Sequence, residues 1–490
     1  MVSFFWCTVI ALIIFWFYVK FIVPLRYFKR LGIPGPSPIP IIGTLAADTK
    51  DGKGNHEVQQ IHLEKYGRVY GFFVGSMPAY VVGDLDIIKN ILIKEFPAFS
   101  NRAMFFKTPG LERSLANLRD TDWKRIRTVL NPTYTTSKMK QMFPLVNDSV
   151  DTFIRKMERV ADKNQSIDVS DWLKQLSLEI ITASAFGAKC NVQNGGHDRL
   201  VNSATAIFKM NPTVIALSFM MPRLAPLFAA FDKSFMNGVK YIDKAVASII
   251  KMRRQEGATG ANYKDLLQLM IDASAAAESN KSLTDNEIIA QSSTIMLAGY
   301  ETTSSCATFT AYLLANNSEV QDKLIQEIAK VCGKQEVTYD MLGQMTYLNK
   351  VIHESLRMYP PGYILLREAT TTFQCNGYTF PKGIPIFIPA YALHHDNDIW
   401  PEPYRFNPER FNKDLVEARH PCAYMPFGLG PRNCIGMRFA MLQVKLLLIK
   451  ILRRFKFATC TETEIPIQVT AATTLAPKNS VYLRVMSHTS

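Results

Sequence analysis

From Val2 to Val19 the chain carries no charged residue. As a helix, eighteen residues span about 27 Å, close to the roughly 30 Å hydrocarbon core of a bilayer. Lys20 can snorkel, so Phe21 to Val23 can complete the crossing. The run has no basic segment before it and no A-x-A cleavage site, and bulky residues fill its end. It reads as a signal anchor, not a cleaved leader. Lys20, Arg26, Lys29 and Arg30 follow it and assign its C-terminal side to the cytosol. Leu31 to Gly43 then carries Pro34, Pro36, Pro38 and Pro40, which stiffen the chain and prevent helix.

Beyond this point the period of the apolar residues changes repeatedly. Arg68 to Val74 and Ala79 to Val82 read as strands around Gly75-Ser76-Met77-Pro78, a hairpin signal. Ile465 to Thr470 and Ser480 to Val485 both alternate and read as a second β pair. Helical periodicity covers Ile167 to Phe186, Asp232 to Glu256, Asp265 to Glu278, Thr284 to Asn316, Val320 to Val331 and Met345 to Met358. Many helices with small sheets predict a mainly α fold with a minor β part. Val214 to Phe231 is almost uncharged, but Pro222, Arg223 and Pro226 argue against a second membrane span. It is either a buried connection or a surface segment that dips into the bilayer, which its Phe219, Met220 and Met221 would suit. The division read from these patterns is an anchor over 1–25, a basic and proline-rich linker over 26–43, and one folded unit over 44–490.

Composition narrows the function classes. The chain has 490 residues and a net charge of +14. No zinc-finger, helix-turn-helix or aromatic RNA-binding pattern accompanies the charge, which argues against nucleic acid as a partner. Beyond the anchor, the excess gathers around Trp123 (Arg119, Lys124, Arg125, Arg127) and after position 434 (Arg438, Lys445, Lys450, Arg453, Arg454, Lys456). The eight cysteines show no framework spacing, as expected of free thiols in a reducing compartment. N-x-S sequons at Asn147, Asn164, Asn280 and Asn316 would matter only in the secretory lumen.

Candidate chemistry concentrates at Cys434, in Phe427-Gly428-Leu429-Gly430-Pro431-Arg432-Asn433-Cys434-Ile435-Gly436. The glycines let the backbone bend and approach something flat, and a long apolar run follows. Asn433 stands where a dinucleotide fingerprint needs its third glycine, and no CxxC pair supplies zinc ligands. Two readings remain: a small buried apolar cysteine, or a thiolate that ligates haem iron axially.

A capping box, Thr284-Asp285-Asn286-Glu287, starts a long helix containing Ala298-Gly299-Tyr300-Glu301-Thr302-Thr303. Small residues followed by Glu-Thr suit a flat group packed closely beside polar atoms. Taken alone, the stretch also fits an ordinary core helix whose threonine bonds to the preceding turn. Glu354 and Arg357 lie at i and i+3, and Arg410 in Pro408-Glu409-Arg410-Phe411 adds a second cation.

Phe427-x-x-Gly430-x-Arg432-x-Cys434-x-Gly436 resembles the haem-binding loop of the cytochrome P450 family. The resemblance extends over nearly the whole chain. It is strongest toward the microsomal steroid- and drug-oxidising group that includes thromboxane synthase, through Phe99-Ser100-Asn101-Arg102, Ala298 to Ser305 and Gly430 to Ala440. It implies a haem-thiolate fold behind an N-terminal transmembrane helix, with haem b (iron protoporphyrin IX) as cofactor and Cys434 as its metal ligand. Arg102, Trp123, Arg127, Arg367 and Arg432 would hold the propionates. Phe427, Gly428 and Gly436 would shape the loop under the porphyrin, and Ala298 and Gly299 would approach it from the distal helix. Thr302 would support dioxygen activation, with Glu301 relaying protons. Glu354, Arg357 and Arg410 would form a buried structural network.

By the same resemblance the substrate pocket draws on Phe105, Phe106, Phe208, Leu297, Ile364, Leu365, Thr474 and Leu475. Pro361-Gly362-Tyr363 departs from the group's pattern and leaves the pocket's shape open. The implied activity is insertion of one oxygen atom from O₂ into lipophilic substrates such as steroids, fatty acids or xenobiotics. Electrons would come from NADPH through NADPH-cytochrome P450 reductase, with cytochrome b5 as a second donor, at the endoplasmic reticulum membrane. In that fold the two basic groups border one docking face. The alternatives are a haem-thiolate isomerase of lipid peroxides that needs no reductase, and a non-catalytic haem sensor or electron carrier. Retention of Glu301-Thr302 argues against the first, and a carrier needs no apolar pocket.

Overall fold

The computed structural model describes residues 2–44, 54–104, 111–161, 163, 165–188, 190–196, 198–209, 211–221, 224–257, 265–275 and 282–488. Helix α1 (Val2–Phe17) continues through a wider turn at Tyr18–Ile22. Phe4 to Arg30 is long and apolar enough to cross a membrane, and Phe4, Ile14 and Phe15 are exposed on it. The proline segment is docked, not free. The Gly71 N–H donates to Pro34 O at 2.8 Å, and a side chain at Gly35 would meet Gly71 O at 2.2 Å.

Two cores follow. Strands β1 (Val69–Val74) and β2 (Met77–Val82) pair antiparallel from Val69↔Val82 to Val74↔Met77. A helical core then begins with α2 (Asp120–Leu130) and α3 (Thr136–Ala161). It continues through β3 (Ser166–Asp168), α4 (Val169–Phe186), α5 (Asp198–Phe208) and α6 (Lys233–Gly257). Its centre is α7 (Asp285–Asn316), which starts as expected: Thr284 Oγ1 accepts from the Glu287 N–H, and Glu287 bonds back to the Thr284 N–H. Helix α8 (Thr346–Met358) packs against it. The sheet core then resumes with β4 (Leu365–Glu368) and β5 (Pro385–Ile388), giving the order β1-β2-β5-β4 with β2 and β5 parallel. Helix α9 (Met437–Leu452) is the apolar run after Cys434.

The expected terminal β pair is a correction. β6 (Phe455–Ala458) and β9 (Tyr482–Ser487) pair with each other, and β9 also pairs with β3. Ile465 to Thr470 enters a strand only at β7 (Val469–Ala471), whose partner is β8 (Leu475–Pro477). Alternation identified strand-forming residues but not their partners, and Pro466 supplies no N–H to a ladder. The Val214 to Phe231 stretch is two short helices, Pro212–Met220 and Ala225–Phe231, with Leu227 and Phe231 exposed. Pro222, Arg223 and the side chains of Phe219 and Met220 lie outside the described residues.

The cysteine loop rests on a buried polar frame. Arg357 Nε donates to Glu354 Oε2 at 2.7 Å and Nη2 to Oε1 at 2.9 Å, and both side chains are fully buried. Arg410 Nε approaches Glu354 Oε1 at 3.3 Å. Arg357 Nη1 also donates to His394 O at 2.8 Å. His394 Nε2 in turn accepts the Met425 N–H at 3.0 Å, at the root of the loop. His353 shares a 2.8 Å hydrogen bond with the Tyr424 hydroxyl.

Removing Glu354 leaves Arg357 buried without a counter-charge, which costs about 3–5 kcal/mol, a large part of a typical domain's stability. Glu354→Ala should therefore lower the denaturant midpoint and the yield of folded protein sharply; an unchanged midpoint would count against this role. Burial, helped by Lys445, pushes His353 from 6.5 down to about 4. Below pH 6.5 the unfolded chain thus binds a proton that the native chain does not, and stability falls as pH drops toward 4, by up to ~1.4 kcal/mol per pH unit. Melting temperatures of His353→Gln should decline less between pH 7 and pH 5 than those of the parent chain.

Candidate active site

One cavity of about 430 Å³ lies between α7, the cysteine loop and β4. From α7 it takes Gln291, Thr294, Ile295, Ala298, Gly299, Thr302, Thr303 and Cys306. These recur at intervals of three and four and form a single helical face. Thr302 Oγ1 donates to Ala298 O at 2.7 Å, so its lone pairs remain free to accept. A side chain at Gly299 would meet Ile181 of α4 at 3.0 Å. The glycine therefore gives close packing against α4 as well as space in the cavity.

Cys434, Phe427, Gly428, Arg432 and Gly436 line the same cavity. The Cys434 N–H donates to Phe427 O at 2.8 Å, closing the loop. Gly430 has φ +72°, and a side chain there would meet Leu92 O at 1.8 Å, so only glycine fits. Cys434 is exposed by area because the cavity opens onto it, although protein surrounds it. Burial pushes its thiol up. The Gly436 and Met437 N–H groups and the charges of Arg102 and Arg127 pull it back toward thiolate.

The cationic rim comes from separate elements. Asn101 and Asp120 exchange hydrogen bonds of 2.7 and 2.9 Å, and the Glu368 N–H donates to Asn101 O at 2.9 Å. These bonds bring Arg102 beside Arg367 of β4. Arg102 Nη2 donates to Arg432 O at 3.4 Å, and Arg432 stacks on Trp123, 4.4 Å from the ring centroid. Trp123 itself does not line the cavity. Arg127 does not line it either and grips Asn433, donating to its O at 2.9 Å and its Oδ1 at 3.0 Å.

Arg367 and Arg432 are 2% and 3% exposed. Arg367 Nε and Arg432 Nε and Nη1 are buried without a hydrogen-bond partner. Neither forms an ion pair with a carboxylate among the described residues. Burial, reinforced by neighbouring arginines, pushes both down to about 9. Buried guanidinium groups with unused N–H donors and no paired carboxylate fit a cofactor that carries carboxylates, as haem b does through its propionates.

The expected pocket residues divide. Ile364 and Leu365 line the cavity. Leu297 does not: it is one position off the α7 face and packs into the helical core. Phe208 packs on that core beside Tyr300, with ring centroids 6.3 Å apart. Leu475 is fully buried with Tyr363 and Tyr391, and Thr474 also lies off the lining. Phe105 and Phe106 fall outside the described residues. Glu301 is buried off the lining, with its carboxylate 3.7 Å from Lys174 Nζ. Sequence reasoning missed Gln291, Thr294, Ile295, Ile181 and Leu115. The first three could have been found by stepping back from Ala298 in intervals of three and four. Tyr363, the departure noted above, bonds to the terminal hairpin; its hydroxyl lies 3.0 Å from Ala471 O and 3.1 Å from Ala472 O.

The family model for Cytochrome P450 matches residues 33–484. Cytochrome P450 3A9 of Rattus norvegicus is 39% identical over 468 residues, covering 94% of this chain and 92% of that protein. Cytochrome P450 3A56 of Fundulus heteroclitus is 39% identical over 471 residues, 94% of each chain. Cytochrome P450 3A5 of Homo sapiens is 38% identical over 469 residues, 94% of this chain and 92% of that one. With a matching loop, helix and cationic rim around one cavity, the chain belongs to the cytochrome P450 family and is a haem b-dependent monooxygenase.

Proposed function

We propose that this chain oxidises bulky lipophilic compounds (steroids, fatty acids or foreign organic molecules) with electrons delivered by NADPH-cytochrome P450 reductase, and with cytochrome b5 as a second donor. The observation that carries the reading is a single cavity lined both by a thiol under cationic influence and by the small, hydroxyl-bearing face of α7. When bound, haem b supplies the one-electron and dioxygen chemistry.

The chain's own residues supply the rest. Cys434 holds the iron through sulfur. Arg102, Arg367 and Arg432 pair with the propionates, Trp123 fixes the Arg432 plane, and Arg127 braces the loop through Asn433. Phe427, Gly428 and Gly436 give the loop its close approach, and Ala298 and Gly299 leave room on the other helix. Ile181, Ile295, Ile364 and Leu365 exclude water and match apolar substrates. Thr302 presents an oxygen that accepts and passes on a proton. Glu301 faces Lys174 at 3.7 Å, and we assign it the relay of protons toward Thr302.

Most of the expected docking charge is used internally. Arg119 pairs with Glu368, Arg125 with Glu287, Lys450 with Asp151, Arg454 with Glu158 and Lys456 with Asp322. Lys445 and Arg453 donate to Leu342 O and Gly333 O. Lys124 of α2 and Arg438 at the start of α9 remain exposed, without an ion pair among the described residues. They are the contacts we assign to an acidic electron donor. We place α1 across the endoplasmic reticulum membrane with residues 44–490 on its cytosolic face, and exposed Met221, Leu224, Leu227 and Phe231 against the same bilayer.

Product formation should require both NADPH and reductase; turnover of a lipid peroxide with neither would favour the isomerase instead. Thr302→Ala should keep the haem spectrum while lowering product per NADPH at least about tenfold, with hydrogen peroxide released in its place. Unchanged coupling would remove Thr302 from the reaction. Cys434→His should move the reduced carbon monoxide band from the thiolate position to that of an imidazole-ligated haem.

A further inference from the structure

Gln291 is the one amide on the cavity face of α7, and it is fully buried. A polar side chain on an apolar wall would ordinarily be read as a substrate contact. Here both ends of the amide are already engaged. Gln291 Oε1 accepts the Leu115 N–H at 2.7 Å, and Gln291 Nε2 donates to Arg113 O at 2.6 Å. Arg113 and Leu115 belong to the connection between Leu111 and Leu118, and Leu115 itself lines the cavity. The same connection is held at its far end, where Arg432 Nη2 donates to Leu118 O at 2.6 Å. Its internal bonds, Ser114 N–H to Leu111 O at 3.1 Å and Leu118 N–H to Ser114 O at 2.9 Å, make it a compact turn, not a strand of a sheet.

We infer that Gln291 is a positioning residue for substrate selection: its amide clamps the Leu111–Leu118 connection to α7 and so sets where the Leu115 wall of the cavity stands. The inference rests on reading this cavity as the substrate site. The wall is not backed by a sheet ladder, so its place depends on side-chain bonds from Gln291 and Arg432. A substrate meets the Leu115 side chain and not the amide, because both amide atoms face the connection's backbone. Freeing the clamp exposes an N–H and a C=O in an apolar wall and lets the wall move. The effect therefore falls unequally on large and small ligands.

The test compares the full-length parent with Gln291→Leu, which removes both bonds, and Gln291→Glu, which keeps the acceptor for Leu115 and loses the donor to Arg113. Each is titrated by spin-state change with testosterone and with toluene, and the testosterone product ratios are recorded. Hydrogen exchange is followed in peptides covering 111–118. In Gln291→Leu the ratio of the two dissociation constants should change on the order of tenfold, within what loss of the two buried hydrogen bonds can give. The product ratios should shift, and exchange at 111–118 should quicken. Gln291→Glu should fall between the two, and all three proteins should keep the thiolate carbon monoxide band. Unaltered exchange at 111–118, or quickened exchange with unaltered ligand and product ratios, overturns the proposal. If neither ligand perturbs the parent's spin state, the lipophilic-substrate reading fails while the exchange data still decide the clamp. If Gln291→Leu does not fold, Gln291→Glu alone decides through the same ratios and exchange.

Discussion

Arg367 and Arg432 sit almost wholly out of water with no carboxylate paired to them among the described residues. A cation so placed is costly until an anion joins it. The protein spends local structure on holding that arrangement. Arg367 is fixed by the ladder register Arg367↔Ile386, and Arg432 by an indole face and a backbone carbonyl. Arg102 is held by the reciprocal bonds of Asn101 and Asp120. Positive charge that three elements converge to confine fits a dianionic cofactor, and the charge of Arg102 also lowers the cost of a thiolate at Cys434.

The opposite end of the loop is held by neutral and paired groups. Glu354 and Arg357 satisfy each other, and the spare donors of Arg357 reach His394 O and Pro403 O at 2.8 and 2.7 Å. His394 stays neutral, since burial and the neighbouring charge of Arg357 oppose its protonation, and can accept the Met425 N–H. The loop thus hangs between a region that rejects protons and one that attracts anions. Gly430, pressed against Leu92 O, leaves the backbone little freedom between them.

On α7 the polar residues of the cavity face are largely turned inward upon the protein. Thr294 Oγ1 donates to Ala290 O at 2.6 Å, Thr302 to Ala298 O, and Gln291 to the facing connection. A face that reads as half polar in one dimension therefore offers ligands a mostly apolar surface, with acceptor lone pairs at Thr302. Apolar surface and accepting lone pairs are thereby combined in one small space.

The sequence by itself determined the cysteine loop, the capped distal helix, the membrane-length apolar run and the Glu354–Arg357 pair. Each is set by contacts within a few residues, which chain spacing reports directly. It did not determine which strand β9 pairs with, that Leu297 and Leu475 turn into cores, or that five of the ten basic residues in the two groups pair with acids more than 100 positions away. Those outcomes depend on which surfaces meet when helices and sheet pack. One residue of rotation along a helix moves a side chain by about 100°, and an acid distant in the chain can become the nearest neighbour. Tertiary structure alone decided them, because burial and charge pairing are properties of the assembled surface and not of the order of residues.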